Sequence, residues 1–420
     1  MAVKTRRIGL SLGADICWPG CYEEIIRRLD LAIPDGPDEV RIEVERISVE
    51  PFNMRQPCKY DVVLDRLTHW FDTSREWIKK AVILDDLYVL NNPWAIQSME
   101  KHTTYGAMMR LGLPVPETWL VPPKEHRPHP DVQSTLNHYA RYFDIGEIGR
   151  KLGFPLYVKP YDGGAWVGVS RADNETQLRD AYEKSGTRVL HLQKAIEPFD
   201  LFVRGIGIGP HVEIVRYDPT APLHRRYMVD FNFLDAEEWS LMTDMTLTIN
   251  SFFGWEFNSC EALRKDGVFS PIDFANACPD FQVTSLHYHF PNMVKAMIRW
   301  SIFCAVTDRP MRKNLDWAPY FAIAEQDLPY RERLRAYADI ARERFEAVHF
   351  ADFCEEHLAN LDEVVLDFFS TERARELVRE KVAALFPSHE VERFAAHFWG
   401  LLAFWRKTEV DRMAMQGEKP

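Results

Sequence analysis

Apolar runs and stretches of helical spacing alternate along the first hundred residues. Residues 7–12 form a short apolar run, and Tyr22, Ile25, Ile26 and Leu29 then recur at steps of three and four, as one face of a helix does. Val40, Ile42 and Val44, followed by Ile47 and Val49, alternate at period two and predict a strand with one buried face. Residues 60–64 and 81–84 are two more apolar runs, read as strands. Strands separated by helices predict an open α/β sheet with helices packed on it.

Gly112-Leu-Pro-Val-Pro116 is a break, because the residue before each proline is pushed out of helical space. Residues 122–134, rich in proline, histidine and charge, read as a surface loop. Runs with β character follow at 156–160, 191–193, 201–209, 211–217, 227–234, 254–263 and 268–277, so the middle of the chain reads as α+β. After Pro291 the texture becomes helical. Leu334, Tyr337, Ala341, Phe345 and Val348 share one helix face, and Val391, Phe394, Phe398, Leu401 and Trp405 share another. Ser388 is placed as the N-cap of the latter, with Glu390 in its first turn, and residues 413–420 as a loose tail.

With 420 residues, two or three domains are expected. The formal charge of −12 carries no basic footprint for nucleic acid or anionic lipid. The apolar run at 398–405 is far short of the roughly 20 residues that span a bilayer, and Asp15 and Pro19 interrupt any signal-peptide core. Seven cysteines without a CxxC are expected to be reduced thiols, as in a cytoplasmic protein.

Three stretches carry chemistry. In Gly153-Phe-Pro-Leu-Tyr-Val-Lys159-Pro-Tyr-Asp-Gly163-Gly164, a strand delivers a lysine and a glycine turn follows. Gly163 and Gly164 would let backbone N–H groups approach phosphate oxygens while Lys159 adds a point charge. The lysine precedes the glycines, which excludes the Walker pattern. In His191-Leu-Gln193-Lys194-Ala-Ile196-Glu-Pro-Phe-Asp200, polar groups and one aliphatic residue follow a short strand. Ile196 suits an adenine face and Asp200 suits ribose hydroxyls. Third, residues 254–263 and 268–277 flank an Asp266-Gly267 turn and form a hairpin, bringing Glu261 and Asp273 near one point. Carboxylates in apolar strands need a metal or a basic partner, and Mg²⁺ takes such hard oxygen ligands.

These stretches, in this order, resemble the ATP-grasp superfamily, the fold of D-alanine–D-alanine ligase, glutathione synthetase and the ribosomal-protein glutamate ligases. The resemblance extends upstream through Tyr60-Asp-Val-Val-Leu-Asp65-Arg66, Asn91-Asn-Pro93, Met99-Glu-Lys101 and Gly112-Leu-Pro-Val-Pro, and covers residues 5–290. It implies a Rossmann-like pre-domain (1–98), a two-lobed ATP-grasp body (99–290, lid at about 120–200) and a helical extension (291–420) outside the resemblance. It also implies roles for individual residues. Lys101 and Lys159 would hold ATP phosphates, and Gly163 and Gly164 would belong to a mobile lid with Trp166 at its tip. Gln193, Lys194 and Ile196 would form the adenine hinge, Asp200 the ribose acid, and Glu261, Asp273 and Asn276 the ligands of Mg²⁺, with Mn²⁺ as the alternative. Arg226 would face the reacting phosphate, with Arg225 competing for that role; Arg204 could also face the site, but reads first as a surface or salt-bridge residue.

One departure stands out. The family's last strand shows Glu-x-Asn, whereas this chain has Asp273-Phe-Ala-Asn276, so an extra residue must be absorbed by a bulge. Asn258 and Glu256 are the fallback ligands.

The activity implied is ATP-dependent joining of a carboxylate to an amine or thiol through an acyl phosphate, on small-molecule or peptide substrates. A phosphotransferase and a non-catalytic ATP-responsive binding protein are the rivals. The helical extension is left three roles, which are capping the site, forming a homodimer interface or binding a carrier. Gly205-Ile-Gly-Ile-Gly209 lacks the GxGxxG spacing and reads as a glycine-rich strand, and His287 and His289 as loop or core histidines.

Overall fold

The computed structural model describes residues 2–48, 50–68, 71–96, 100–161, 167–276 and 278–417. The first sheet contains β1 (Val3–Ser11), β2 (Ile33–Asp35), β3 (Asp38–Arg46), β4 (Val62–Asp65) and β5 (Tyr88–Leu90), in the order β2-β3-β1-β4-β5. β1 is parallel to β3 and β4, and β4 to β5, while β2 is antiparallel to β3. The helix Trp18–Leu29 buries Tyr22, Ile25, Ile26 and Leu29, the face expected from their spacing. The run at 81–84 is not a strand. It ends the helix Asp72–Leu84, and the fourth parallel strand is Tyr88–Leu90. Four apolar residues carry no period that separates a strand from a helix end.

The second sheet is antiparallel: β6 (Thr118–Val121), β7 (Leu156–Pro160), β8 (Ser170–Ala172) and β9 (Leu190–Lys194), in the order β6-β9-β7-β8. Val121, Leu156, Val158, Leu190 and Leu192, with Leu152 and Leu178 from two helices, give this sheet a separate small core.

The third sheet is also antiparallel: β10 (Leu201–Ile208), β11 (His211–Tyr217), β12 (Tyr227–Met228), β13 (Phe257–Lys265) and β14 (Val268–Asp273), in the order β12-β11-β10-β13-β14. Gly205 and Gly207 lie under Thr246 and Asn250 of the helix Ala236–Phe253, and a Cβ on either would collide with those side chains. The glycines of the GxGxG stretch thus serve close helix-on-sheet packing. The β13–β14 turn has φ of 51° at Asp266 and 75° at Gly267, the positive pair a two-residue hairpin turn requires.

The C-terminal region is helical, as expected, with two differences. The helix Tyr330–Arg344 ends before Glu346, whose φ is 51°, so Val348 belongs to a new helix, Ala347–His357, and is exposed. Ser388 opens a short 3-10 turn ahead of the helix Val391–Gly417, which keeps residues 413–417 helical where a loose tail was expected. Phe290, Phe369, Phe398 and Trp405 join the first and third sheets in one core. The architecture is therefore mixed α/β and α+β with a helical C-terminal region. Among the described residues no helix is long and apolar enough to cross a membrane.

Candidate active site

A cavity of about 490 Å³ opens between the second and third sheets. On one side β7 supplies Tyr157 and Lys159, two residues apart and so on one face. The antiparallel register sets Tyr157 opposite Gln193 and Lys159 opposite His191 on β9. Lys159 Nζ donates to Gln193 Oε1 at 2.8 Å and reaches across the cavity to the Ile272 carbonyl at 3.2 Å. Gln193 Nε2 donates in turn to Thr118 Oγ1 at 3.1 Å, so both ends of that amide support the lysine. Burial, reinforced by the charge of Lys101 and opposed by Asp273, brings the Lys159 ammonium down to about 8. His191 is fully buried, and its ring nitrogens have no hydrogen-bond partner. Burial and the cations around it lower it to about 3, so it stays neutral beside the two lysines.

Across the cavity, Lys101 begins the helix Lys101–Arg110 and donates to Asp273 Oδ2 at 2.6 Å. Its backbone N–H donates to the Tyr161 carbonyl at 3.0 Å, tying the helix start to the second sheet. Glu261 and Asp273 face each other across the hairpin. A bulge lies before Asp273, not between Asp273 and Asn276 where the spacing called for one: Ala262 pairs with Pro271, so Ile272 is the extra residue that turns Asp273 toward Glu261, and the strand ends at Asp273. Burial raises the Asp273 carboxyl, but Lys101 and Lys159 outweigh it and hold the group below its ordinary value. Asn276 lines the cavity, with its backbone N–H on Asn258 Oδ1 at 2.8 Å and its Nδ2 on Ser259 Oγ at 2.9 Å. The fallback ligands point elsewhere. Asn258 is fully buried on Asn250 and the Phe274 carbonyl, and Glu256 accepts from Trp300 Nε1.

Arg204 lies opposite Glu261 in the β10–β13 register and pairs with it, and it also donates to the Tyr227 hydroxyl. Its guanidinium carbon stands 4.8 Å from the centre of the Tyr217 ring. The salt-bridge role expected of Arg204 is thus present, and it is made in the cavity wall, not at the surface; the signal was a lone charge inside an apolar strand, which burial makes costly without a partner. Arg226 lines the cavity too, anchored by its Nε on the Ala221 carbonyl at 3.0 Å. Lys194 and Ile196 are in the wall, beside Phe199, Phe202 and Leu263.

Asp200 is not brought into this wall. Its carboxylate is half exposed and bound by Arg264, Nη2 to Oδ2 at 2.7 Å. Gly163, Gly164 and Trp166 lie outside the described residues. Tyr157, Tyr217, Tyr227 and Asp280 line the cavity without having been singled out from the sequence. Among the described residues no group of three or more His, Cys, Asp or Glu side chains is arranged to hold a metal. Glu261, Asp273 and the Asn276 amide oxygen are nonetheless hard donors at one end of the cavity, a set that suits a Mg²⁺ whose other ligands are phosphate oxygens.

No family model matches the chain. It is 22% identical over 210 residues to a D-alanine–D-alanine ligase of Streptococcus pneumoniae, covering 48% of this chain and 53% of that protein. A second such ligase, of Heliobacterium modesticaldum, is 31% identical over 102 residues, 23% of this chain and 27% of that one. The chain therefore spans about half the length of the first of these relatives and about a quarter of the second. Among solved structures it is similar to a RimK domain ATP-grasp protein of Sphaerobacter thermophilus (TM-score 0.47, 13% identity, 70% of this chain and 99% of that one). It is likewise similar to the D-alanine–D-alanine ligase of Bacillus anthracis complexed with ATP (TM-score 0.47, 14% identity, 81% and 99%). Similarity to ATP-grasp proteins, the resemblance read from the motifs, is what these comparisons return.

Proposed function

We propose that the chain is an ATP-dependent ligase that joins a carboxylate to an amine, or to a thiol, with release of ADP and phosphate. The observation that carries this reading is the meeting of Lys101, Lys159, Arg204 and Arg226 with Glu261 and Asp273 in one cavity that continues into an apolar wall at Ile196, Phe199 and Leu263. Cations suit a polyphosphate, and the apolar wall suits a purine face. Without nucleotide the cavity balances its own charge, Lys101 against Asp273 and Arg204 against Glu261. A triphosphate competes for the lysines and releases the carboxylates, which with Asn276 are the residues that would hold Mg²⁺ or Mn²⁺. When bound, the metal supplies neutralisation of phosphate charge.

In the proposed reaction the γ-phosphoryl group passes to a substrate carboxylate oxygen, giving an acyl phosphate and ADP. The nucleophile then adds to the acyl carbon, and the tetrahedral intermediate expels phosphate. Lys159 and Lys101 hold the phosphates in place, and Arg204 and Arg226 face the oxygens on which charge develops. The side chain of Gln193 keeps Lys159 aimed, which is a positioning role.

Turnover of Mg-ATP against pooled amino acids and small carboxylates tests this reading. Substrate-dependent release of ADP and phosphate is the expected result. ADP with a stable phosphorylated product would make the chain a phosphotransferase, binding without turnover would make it an ATP-responsive binding protein, and absence of nucleotide binding would contradict the cavity assignment.

A further inference from the structure

Arg226 reaches the cavity wall from a turn, residues 218–226, that links β11 to β12. The turn closes on itself, with the Asp218 N–H donating to the Arg226 carbonyl at 2.8 Å. It leads into β12, a strand of two residues at the edge of the third sheet. The guanidinium is anchored within the same turn, by Nε on the Ala221 carbonyl at 3.0 Å, so Arg226 goes where the turn goes. Pro222, Leu223 and Arg225 are exposed, whereas His224 among them is half-buried.

What His224 packs on is the C-terminal helix Val391–Gly417. Its ring centre lies 5.1 Å from that of Phe394, 6.0 Å from His397 and 6.4 Å from Phe398, each pair edge to face. Rings at such separations and angles attract one another. The helix side of this contact is fixed, because Phe398, Leu402 and Trp405 are fully buried in the large core and the Phe394 ring lies 4.1 Å from that of Phe386. His397 Nε2 is buried without a hydrogen-bond partner. Burial, with Arg225 and Arg393 near, keeps His224 and His397 below the ordinary histidine range, so they meet as neutral rings at neutral pH. The short helix Val283–Leu286 also backs the turn, and His224 is the side chain that joins it to the long C-terminal helix.

We propose that the helix Val391–Gly417 positions Arg226 against the reacting phosphate, with His224 passing the support of the helix to the turn. This rests on the ligase reading above, in which Arg226 faces the phosphoryl group. His224 is a positioning residue, since it acts only through Arg226. The C-terminal region, which lies outside the three sheets, thereby sets the geometry at one end of the cavity, where a small misplacement of a charged group is costly.

The test uses the full chain and compares, by calorimetry with Mg²⁺, the affinity for β,γ-imido-ATP with that for ADP, which lacks the phosphoryl group that Arg226 would face. Arg226→Ala is expected to lower the preference for the triphosphate about tenfold. His224→Ala lowers it about threefold to tenfold, while ADP affinity stays within about twofold and far-ultraviolet dichroism stays native. His224→Phe keeps a ring against Phe394 and holds the preference within about twofold of wild type. The double variant of His224→Ala with Arg226→Ala stays within about twofold of Arg226→Ala alone, because nothing is left to position. An unchanged preference in His224→Ala, a loss in His224→Phe as large as in His224→Ala, or losses that multiply in the double variant would each overturn the role of the helix. An unchanged preference in Arg226→Ala would overturn the placement of Arg226 and the inference with it, and failure of both nucleotides to bind would overturn the ligase reading itself.

Discussion

The second sheet and the body of the chain face one cavity from unequal foundations. The sheet β6–β9 rests on its own small cluster around Leu156, Val158, Leu190 and Leu192. The first sheet, the third sheet and the C-terminal helices share a far larger one, from Ile8 to Trp405. Lys159 and Gln193 stand on the small unit, and Glu261, Asp273 and Arg204 on the large one. Polar bridges such as Lys159 Nζ to the Ile272 carbonyl and the Lys101 amide to Tyr161 cross between them. A small core with polar bridges opens at a lower free-energy cost than the body it leans on. The difference teaches that in the proposed ligase a nucleotide acts as the clasp between a movable cationic wall and a fixed wall of carboxylates and arginine.

The sharpest way to break this comparison is to remove the clasp's charge on the movable side. Lys159→Ala is expected to lower turnover of ATP by about a hundredfold to a thousandfold while far-ultraviolet dichroism stays native. Unchanged turnover would detach the second sheet from the chemistry. Next in size, Leu192→Ala should destabilise the small unit by about 2–5 kcal/mol, because a fully buried leucine leaves a cavity behind. Amide exchange should then speed up in β6–β9 and stay unchanged in β10–β14. Equal acceleration in both would show that they unfold as one.

A milder effect follows from pH. Burial holds Lys159 at about 8 in place of its ordinary 10.5, so its positive charge is complete below pH 7 and fades as pH climbs through 8. ATP affinity should fall by up to about tenfold per pH unit above 8, with uptake of a proton on binding, readable by calorimetry in buffers of different ionisation enthalpy. The folded form binds fewer protons than the unfolded chain between about 8 and 10.5, so the burden of this lysine on stability is full below pH 8 and lifts as pH rises. Smallest of all, Asp200→Ala should shift ATP affinity by less than about threefold, since its carboxylate is engaged by Arg264 in an exposed pair.

The contrast also explains which parts of the fold and site were legible in the sequence. Lys159, Gln193 and Ile196 sit in short segments whose strand and turn character is local, and the hairpin of Glu261 and Asp273 is announced by Asp266-Gly267. What escaped depends on partners distant along the chain. Asp200 looked like a ribose acid because Arg264, which claims it, is 64 residues away. Arg204 could be given a surface or salt-bridge role but no named partner, because Glu261 becomes its neighbour only through the β10–β13 register. The run at 81–84 was too short to declare a period, and the helix break at Glu346 depends on one left-handed residue that no glycine marks.

Hydrogen–deuterium exchange of the full chain with and without Mg-ATP tests the clasp most directly. The predicted result is slowed exchange in both walls at once, in 156–160 and 190–196 on one side and in 261–276 on the other. Protection confined to one wall, or absent from both while ATP is bound, would contradict it.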